Sequence, residues 1–310
     1  MKNYFNFNLT GKKLLPLWIL FLILFLVPYV FMIFTMRNIQ PGNSPSALFF
    51  PLMILLCIVA FVFTFYAAKL MIENIAYKDK AIVFNGSFGK YIGTVLLGFF
   101  LSIITLGIYM AWFTRNIHRF FIDNSSYDSQ NFKFQGKGGK LFVILLLTIF
   151  LPVIILSIVM VKFLIAGNTH LAPSFIVIQQ LVMMVIMIPY MYFVYKWMVN
   201  VNYKEYNISW ETNFWNSCGK IVIEIALTII TLGIYMPLAM LRLYKYFADR
   251  TIAVSNESKQ RFGYDIDPLN DFLLLWGQML LTIITLGIYY PWACCKIGKR
   301  ILSKTYLQKN

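Results

Sequence analysis

Two stretches of this chain run for more than twenty positions without a charge, Leu14–Met36 and Ala47–Ala68. A helix needs about 20 predominantly apolar residues to cross a hydrocarbon core about 30 Å thick. A surface helix of a soluble domain would carry a polar face, and these stretches have none. The apolar block that begins at Ala47 extends to Met71. Two further blocks, Leu141–Ile165 and Phe175–Val199, have similar length and one lysine each. We read all four as full spans. Composition agrees: 60% of residues are hydrophobic and 13% charged, against about 45–50% and 25% in soluble domains. The first block is too long for a signal-peptide core. Thr35-Met36-Arg37 at its end offers no small-residue cleavage pattern, so it is retained.

Three more apolar blocks, Tyr91–Phe113, Ile221–Leu241 and Phe272–Ala293, contain one phrase. It reads Ile-Thr-Leu-Gly-Ile-Tyr at 104–109, 230–235 and 284–289. The first two copies lie 126 positions apart, and Tyr77-Lys78 maps onto Tyr203-Lys204 at the same spacing. Phe5-Asn6-Phe7 and Gly11-Lys12-Lys13-Leu14 resemble Phe132-Lys133-Phe134 and Gly138-Gly139-Lys140-Leu141. The organisation is therefore a first half at residues 5–122, a second at 131–249, and a partial third copy with a basic tail at 262–310.

Charge decides between two topologies. If all seven blocks cross, the 27 lysines and arginines divide 13 to 14 between the two sides. That split lacks any positive-inside bias. If the three phrase-bearing blocks dip in and return, 25 of the 27 fall on one side, with only Arg37 and Lys162 opposite. Tyr91 to Leu106 is also short, at about 24 Å of helix. Gly107, Gly233 and Gly287 read as helix breaks, and Pro237 and Pro291 as restarts. The expected fold is an all-α polytopic bundle with an internal duplication. It has four full spans and three shorter broken or re-entrant elements; the alternative is seven full spans. The phrase turns are expected to lie buried against the four spans. Phe132-Lys133-Phe134 and Ala81-Ile82-Val83-Phe84 suggest short strands outside the bilayer.

The net charge of +15 sits mostly at the ends of apolar blocks, which suits anionic lipid headgroups better than nucleic acid. Arg115 and Arg119, Arg242 and Lys245, and Lys299 and Arg300 lie on aromatic, basic stretches after each phrase, so they are expected headgroup contacts. Glu224 is the sharpest polar group inside an apolar block. It is either a pathway residue or the i,i+4 partner of Lys220. Gln179 and Gln180 are the other intramembrane polar candidates; Lys162 reads as snorkelling. His118 and His170 have no ligand at metal spacing. Gly136-Lys137-Gly138-Gly139-Lys140 departs from a phosphate loop and reads as a turn before a span. No catalytic set or cofactor is expected, and the chain does not read as an enzyme.

The phrase, with Ala111-Trp112 or Pro291-Trp292-Ala293 after it and the run Asn131–Phe142, resembles the bacterial inner-membrane family typified by YjgN. The second copy departs from it, with Pro237-Leu238 in place of Pro-Trp and no Gly-Gly before its apolar block. The resemblance implies a multi-pass inner-membrane protein of unassigned function and supplies no catalytic residues. Both termini are expected in the cytoplasm. The expected role is a transporter or channel with a pathway between the halves; the alternative is a non-transporting scaffold or lipid-interacting envelope component. Partners under either reading are anionic lipids and an unknown solute or lipid, with oligomerisation open and no nucleic acid.

Overall fold

A computed structural model describes residues 2–37, 47–165 and 172–309, with 164–165 and 172–178 as backbone alone. His170 and the Ala166-Gly167-Asn168 exit lie outside the described residues. Every helical pair among the described residues leaves from one short strand and returns to another. β1 (Lys2–Phe7) leads into α1 (Gly11–Phe21), a π turn (Leu22–Leu26) and α2 (Val27–Arg37). α3 (Phe49–Glu73) then comes back to β2 (Ile75–Tyr77). After β3 (Lys80–Ala81) and β4 (Val83–Phe84), a shorter pair, α4 (Phe88–Ile104) and α5 (Met110–Asp123), returns to β5 (Ser125–Tyr127). β6 (Gln130–Phe134) opens a second long pair. It consists of α6 (Gly138–Leu145), a π turn (Leu146–Phe150), α7 (Leu151–Ile165) and the returning α8 (Ala172–Met198), which ends at β7 (Val201–Tyr203). A fourth pair, α9 (Phe214–Ile230) and α10 (Met236–Ala248), runs from β8 (Tyr206–Trp210) to β9 (Thr251–Val254). The fifth, α11 (Pro268–Ile284) and α12 (Tyr290–Leu302), runs from β10 (Lys259–Tyr264) to β11 (Thr305–Lys309).

The strands overturn the all-α expectation. They form one antiparallel sheet of eleven strands, ordered β3-β2-β1-β11-β10-β9-β8-β7-β6-β5-β4. Its two ends, β3 and β4, are separated only by Ile82, whose N–H donates to the Ile75 carbonyl at 2.8 Å. The sheet all but closes into a ring, a solution that leaves no edge to pair with a stranger. Pieces of two to six residues scattered between long helices give little periodicity to read, and most of their partners are far away in sequence.

Strand alternation points one face of each strand inward. In β1, Phe5 and Phe7 turn in while Tyr4 and Asn6 stay exposed. The same face carries an aromatic residue four positions before every helical pair: Phe7, Phe84, Phe134, Trp210 and Tyr264, all buried. Three residues into each first helix comes a second buried position, occupied by Leu14, Tyr91, Leu141, Ser217 and Asp271. Further from the helices, Phe5, Tyr77, Tyr127, Phe132, Tyr203 and Phe262 line a cavity of about 360 Å³ inside the ring.

Two-residue turns join β2 to β3 and β5 to β6. Lys78 and Asp79 have φ of 46° and 62°, and Asp128 and Ser129 have 49° and 60°. Positive φ at both central residues is the type I′ geometry that matches strand twist. Asp128 accepts from Lys80 at 2.6 Å and from Lys204 at 3.2 Å, tying two neighbouring turns. These hydrogen bonds hold its carboxyl below the ordinary carboxylate range. A depressed pKa stabilises the fold above the unfolded value and is lost as pH falls through the folded one. Acid titration followed by tyrosine fluorescence should therefore show the ring loosening below about pH 4. Asp128→Asn should remove part of that dependence; an unchanged acid profile would refute the role.

The helical pairs close a ring of their own. The second helix of each packs on the first of the next: α3 on α4, α5 on α6, α8 on α9, α10 on α11, and α12 on α1. Glycine permits two of these approaches. A Cβ on Gly138 would stand 2.5 Å from the Trp112 ring, and one on Gly11 would stand 2.6 Å from Trp292. Between the fourth and fifth pairs Leu238 and Pro268 occupy those places, and a cavity of about 350 Å³ opens beside them. The departure noted in the second copy thus has a partner in the next helix.

Four helices are long and apolar enough to cross a membrane: Gly11–Arg37, Phe49–Glu73, Gly138–Phe163 and Gln179–Met198. The accessible surface is 18514 Å², against about 13,000 Å² for a soluble monomer of this mass. Many large apolar side chains on the flanks of the described helices are exposed, the surface a membrane would cover.

Candidate membrane interface

The phrase builds one turn three times. Leu106, Leu232 and Leu286 have φ near +50°, followed by Gly107, Gly233 and Gly287 near +88°. Glycine carries no Cβ penalty there. Every N–H through the first turn is satisfied from within. Thr105 donates to Leu101, Leu106 to Ile103, Gly107 to Ser102, Ile108 to Thr105 and Met110 to Gly107, at 2.7–3.1 Å. The remaining N–H, on Tyr109, finds the Thr105 hydroxyl at 3.0 Å. Thr231 and Thr285 do the same for Tyr235 and Tyr289. Two carbonyls are satisfied by the next pair, since Trp276 donates to Ile234 and Trp18 to Gly287.

The expectation that these turns are buried against the spans does not hold. Leu106, Leu232 and Leu286 are 94%, 93% and 87% exposed, with Ile108, Ile234 and Ile288 exposed beside them. A turn that answers its own N–H groups needs no protein cover, and its apolar tip is left bare.

Below the tips of the fourth and fifth pairs the phrase tyrosine sits between two polar positions, and below that of the second it has one. In the fourth pair Glu224, almost fully buried, accepts from Lys220 and, at 2.9 Å, from the Tyr235 hydroxyl, while Arg242 lies over the Tyr235 ring. In the fifth, Tyr289 donates to Gln278 at 3.0 Å and accepts from Lys296 at 2.8 Å. In the second, Asn116 donates to Tyr109 at 3.4 Å, and glycine, Gly98, stands where the others have an acceptor. Phe113 fills that space. Gln179 is half-buried and Gln180 exposed. Gln180 lies 18 residues from the sheet end of α8 and Glu224 ten from that of α9, so they differ in depth by about 12 Å. The structure does not bring them together.

The six expected headgroup contacts divide. Arg115 and Arg119 line a cavity of about 430 Å³ with Lys133 and Lys137. Arg242 packs over Tyr235, Lys245 pairs with Asp249 at 2.9 Å, and Lys299 is exposed. Arg300 is committed elsewhere, donating to Asp271 at 2.6 Å. Asp271 is a buried residue that the sequence reading missed. It also accepts from Lys304 at 2.8 Å and from the Asp267 N–H at 2.9 Å. Its signal was a carboxylate in the first turn of an apolar helix, with no basic partner nearby in sequence. Pro237 and Pro291 stand in the first turns of α10 and α12, where a missing N–H costs nothing. Among the described residues no His, Cys, Asp or Glu group is arranged to hold a metal ion.

Residues 2–263 match the family described as bacterial protein of unknown function, DUF898. No curated protein and no solved structure matches the chain.

Proposed function

We propose, for a chain that belongs to the bacterial DUF898 family of unknown function, a non-transporting, lipid-organising role in the inner membrane. The sheet ring sits on the cytoplasmic face with both termini. The two long pairs cross, and the three short pairs dip into the near leaflet and return. The observation that carries this reading is the set of three bare leucine tips on turns with internally satisfied N–H groups. Water gives such tips nothing, while a hydrocarbon layer covers them at no hydrogen-bonding cost. Each short pair begins with a helix of 17 residues, about 25 Å of rise, set in a ring with longer ones. Placement of 25 of the 27 cations on the sheet side supports the orientation.

The transport reading rests on Glu224 and the glutamine pair. Glu224 is already occupied by Lys220 and Tyr235 in its own pair, and the glutamines lie at another depth. That favours the lipid-organising role. The fivefold recurrence of strand, helical pair and strand supports reading 5–122 and 131–249 as two copies of one unit and 262–310 as a partial third copy.

Spin labels on Leu106→Cys, Leu232→Cys and Leu286→Cys, in a background lacking the four native cysteines, test the insertion in reconstituted vesicles. Collisions with oxygen should dominate those with a water-soluble nickel chelate at all three tips. Nickel-dominated collisions would place the tips in water and end the proposal.

A further inference from the structure

The base of the second pair carries a concentration of charge that the fold itself does not require. Arg115 and Arg119 of α5 face Lys133 of β6 and Lys137 at the start of α6 across the cavity of about 430 Å³. One carboxylate, Asp123, shares it. That carboxylate is spent on Arg119 at 3.0 Å and on the Phe134 N–H at 2.7 Å. Arg115 donates to the Gly136 carbonyl at 3.3 Å and to Asn116 at 3.0 Å, which orients the guanidinium without neutralising it. Lys133 and Lys137 are exposed.

The same place exists elsewhere in the chain and serves as an internal control. At the base of the fourth pair Asp249 accepts from the Tyr264 N–H at 3.2 Å, as Asp123 does from Phe134. There the four cationic positions hold Leu241, Lys245, Gly263 and Asp267. At the base of the fifth they hold Cys295, Lys299, Asn6 and Thr10. The ring tolerates one cation at this junction, so four cations answer something other than folding. Uncompensated like charges gathered within one cavity repel and call for an anion of more than one oxygen. The Gly136-Lys137-Gly138 segment, unconvincing as a nucleotide loop in sequence, stands here against two arginines.

We propose that this cavity binds a phosphate group, supplied by the headgroup of an anionic phospholipid. A second cavity, of about 320 Å³, shares Arg119 and Asp123 and rises along Leu97, Gly98 and Tyr109 toward the tip. That is the direction an acyl chain takes from a headgroup held at the base. The inference rests on the insertion proposed above for its lipid source, and on the cavity alone for its phosphate chemistry.

Native mass spectrometry of the purified full chain tests it with added phosphatidylglycerol, phosphatidylcholine or inorganic phosphate. Phosphatidylglycerol should bind in preference to phosphatidylcholine. Lys133→Gln/Lys137→Gln, at two exposed positions, should weaken that binding by about tenfold, the scale of a charge-assisted hydrogen bond. Arg115→Gln should add to the loss. Lys245→Gln and Lys299→Gln, at the control junctions, should leave it unchanged. Wild-type retention of phosphatidylglycerol by the lysine variant, with an unaltered melting temperature, would overturn the site. Displacement of the lipid by low-millimolar inorganic phosphate would overturn the lipid as its source. Failure of the spin-label experiment with this preference intact would sink the leaflet insertion alone.

Discussion

Gly98→Gln should destabilise the second helical pair by about 2 kcal/mol or more, and Phe113→Ala in the same chain should reverse most of the loss. A Cβ at position 98 would overlap the Phe113 ring. That ring belongs to a core with Phe65, Phe84, Tyr91, Val95 and Phe120, so it has nowhere apolar to go. Phe113→Ala alone should be worse still, at about 3–5 kcal/mol for an emptied aromatic site. The reason to expect mutual rescue is already in the molecule. The fourth pair has Glu224 opposite Ala239 and the fifth has Gln278 opposite Ala293, both alanines buried. Large and small have changed sides, and Gly98→Gln/Phe113→Ala copies the fifth pair's solution. The added glutamine also finds Tyr109, as Gln278 finds Tyr289. Thermal unfolding in detergent of the two single variants and the double gives the coupling directly. Additive losses would show that the exchange of sizes is coincidental.

Asp271→Leu should cost about 3 kcal/mol. The carboxylate is fully buried, and its removal leaves two cations, Arg300 and Lys304, that face it at 2.6 and 2.8 Å with only the longer contacts to Asp267, at 3.4 and 4.0 Å. Breaking a buried pair from one side costs about 3–5 kcal/mol. The lower end applies because the cations keep 30% and 18% of their side-chain exposure. The second pair meets the same need without charge, through Tyr91, Phe120 and Asn124 at the corresponding positions. Adding Arg300→Phe and Lys304→Asn to Asp271→Leu should therefore recover much of the loss in melting temperature. If the triple variant melts no higher than the single one, the cluster does more than fill its site.

Much of the membrane architecture was legible in the chain. Long uncharged blocks at Leu14 and Ala47 need only length to be read, and four spanning-length helices stand where they were expected. The phrase turns were located by Gly107, Gly233 and Gly287. Their exposure was misjudged, because a hydroxyl accepting from the N–H four residues on is invisible in composition. The sheet escaped for a different reason. β3 and β4 have two residues each and β2 three, too few for alternation to rise above chance, and β1 pairs with a strand some three hundred positions away. The basic cavity fell between these cases. Arg115 and Arg119 were singled out as headgroup contacts, while Lys133 and Lys137 were assigned to a strand and a turn. Only packing of α5 on α6 places all four around one space.

The register between β1 and β11, with Lys2 opposite Gln308 and Tyr4 opposite Tyr306, also sets a timetable. β1 leaves the ribosome first among these strands, and the one that completes its pairing leaves last. Throughout synthesis the growing sheet carries an open margin on β1, while five helical pairs are being made between its strands. Non-local pairing of this kind is slow, and its loop entropy is repaid only on closure. A released chain truncated near residue 263, where the family match stops, would have all but the last residue of β10 and no β11 to lie between it and β1. Two bare margins would then be left unpaired, in the form most readily captured by proteases or by a second unfinished copy.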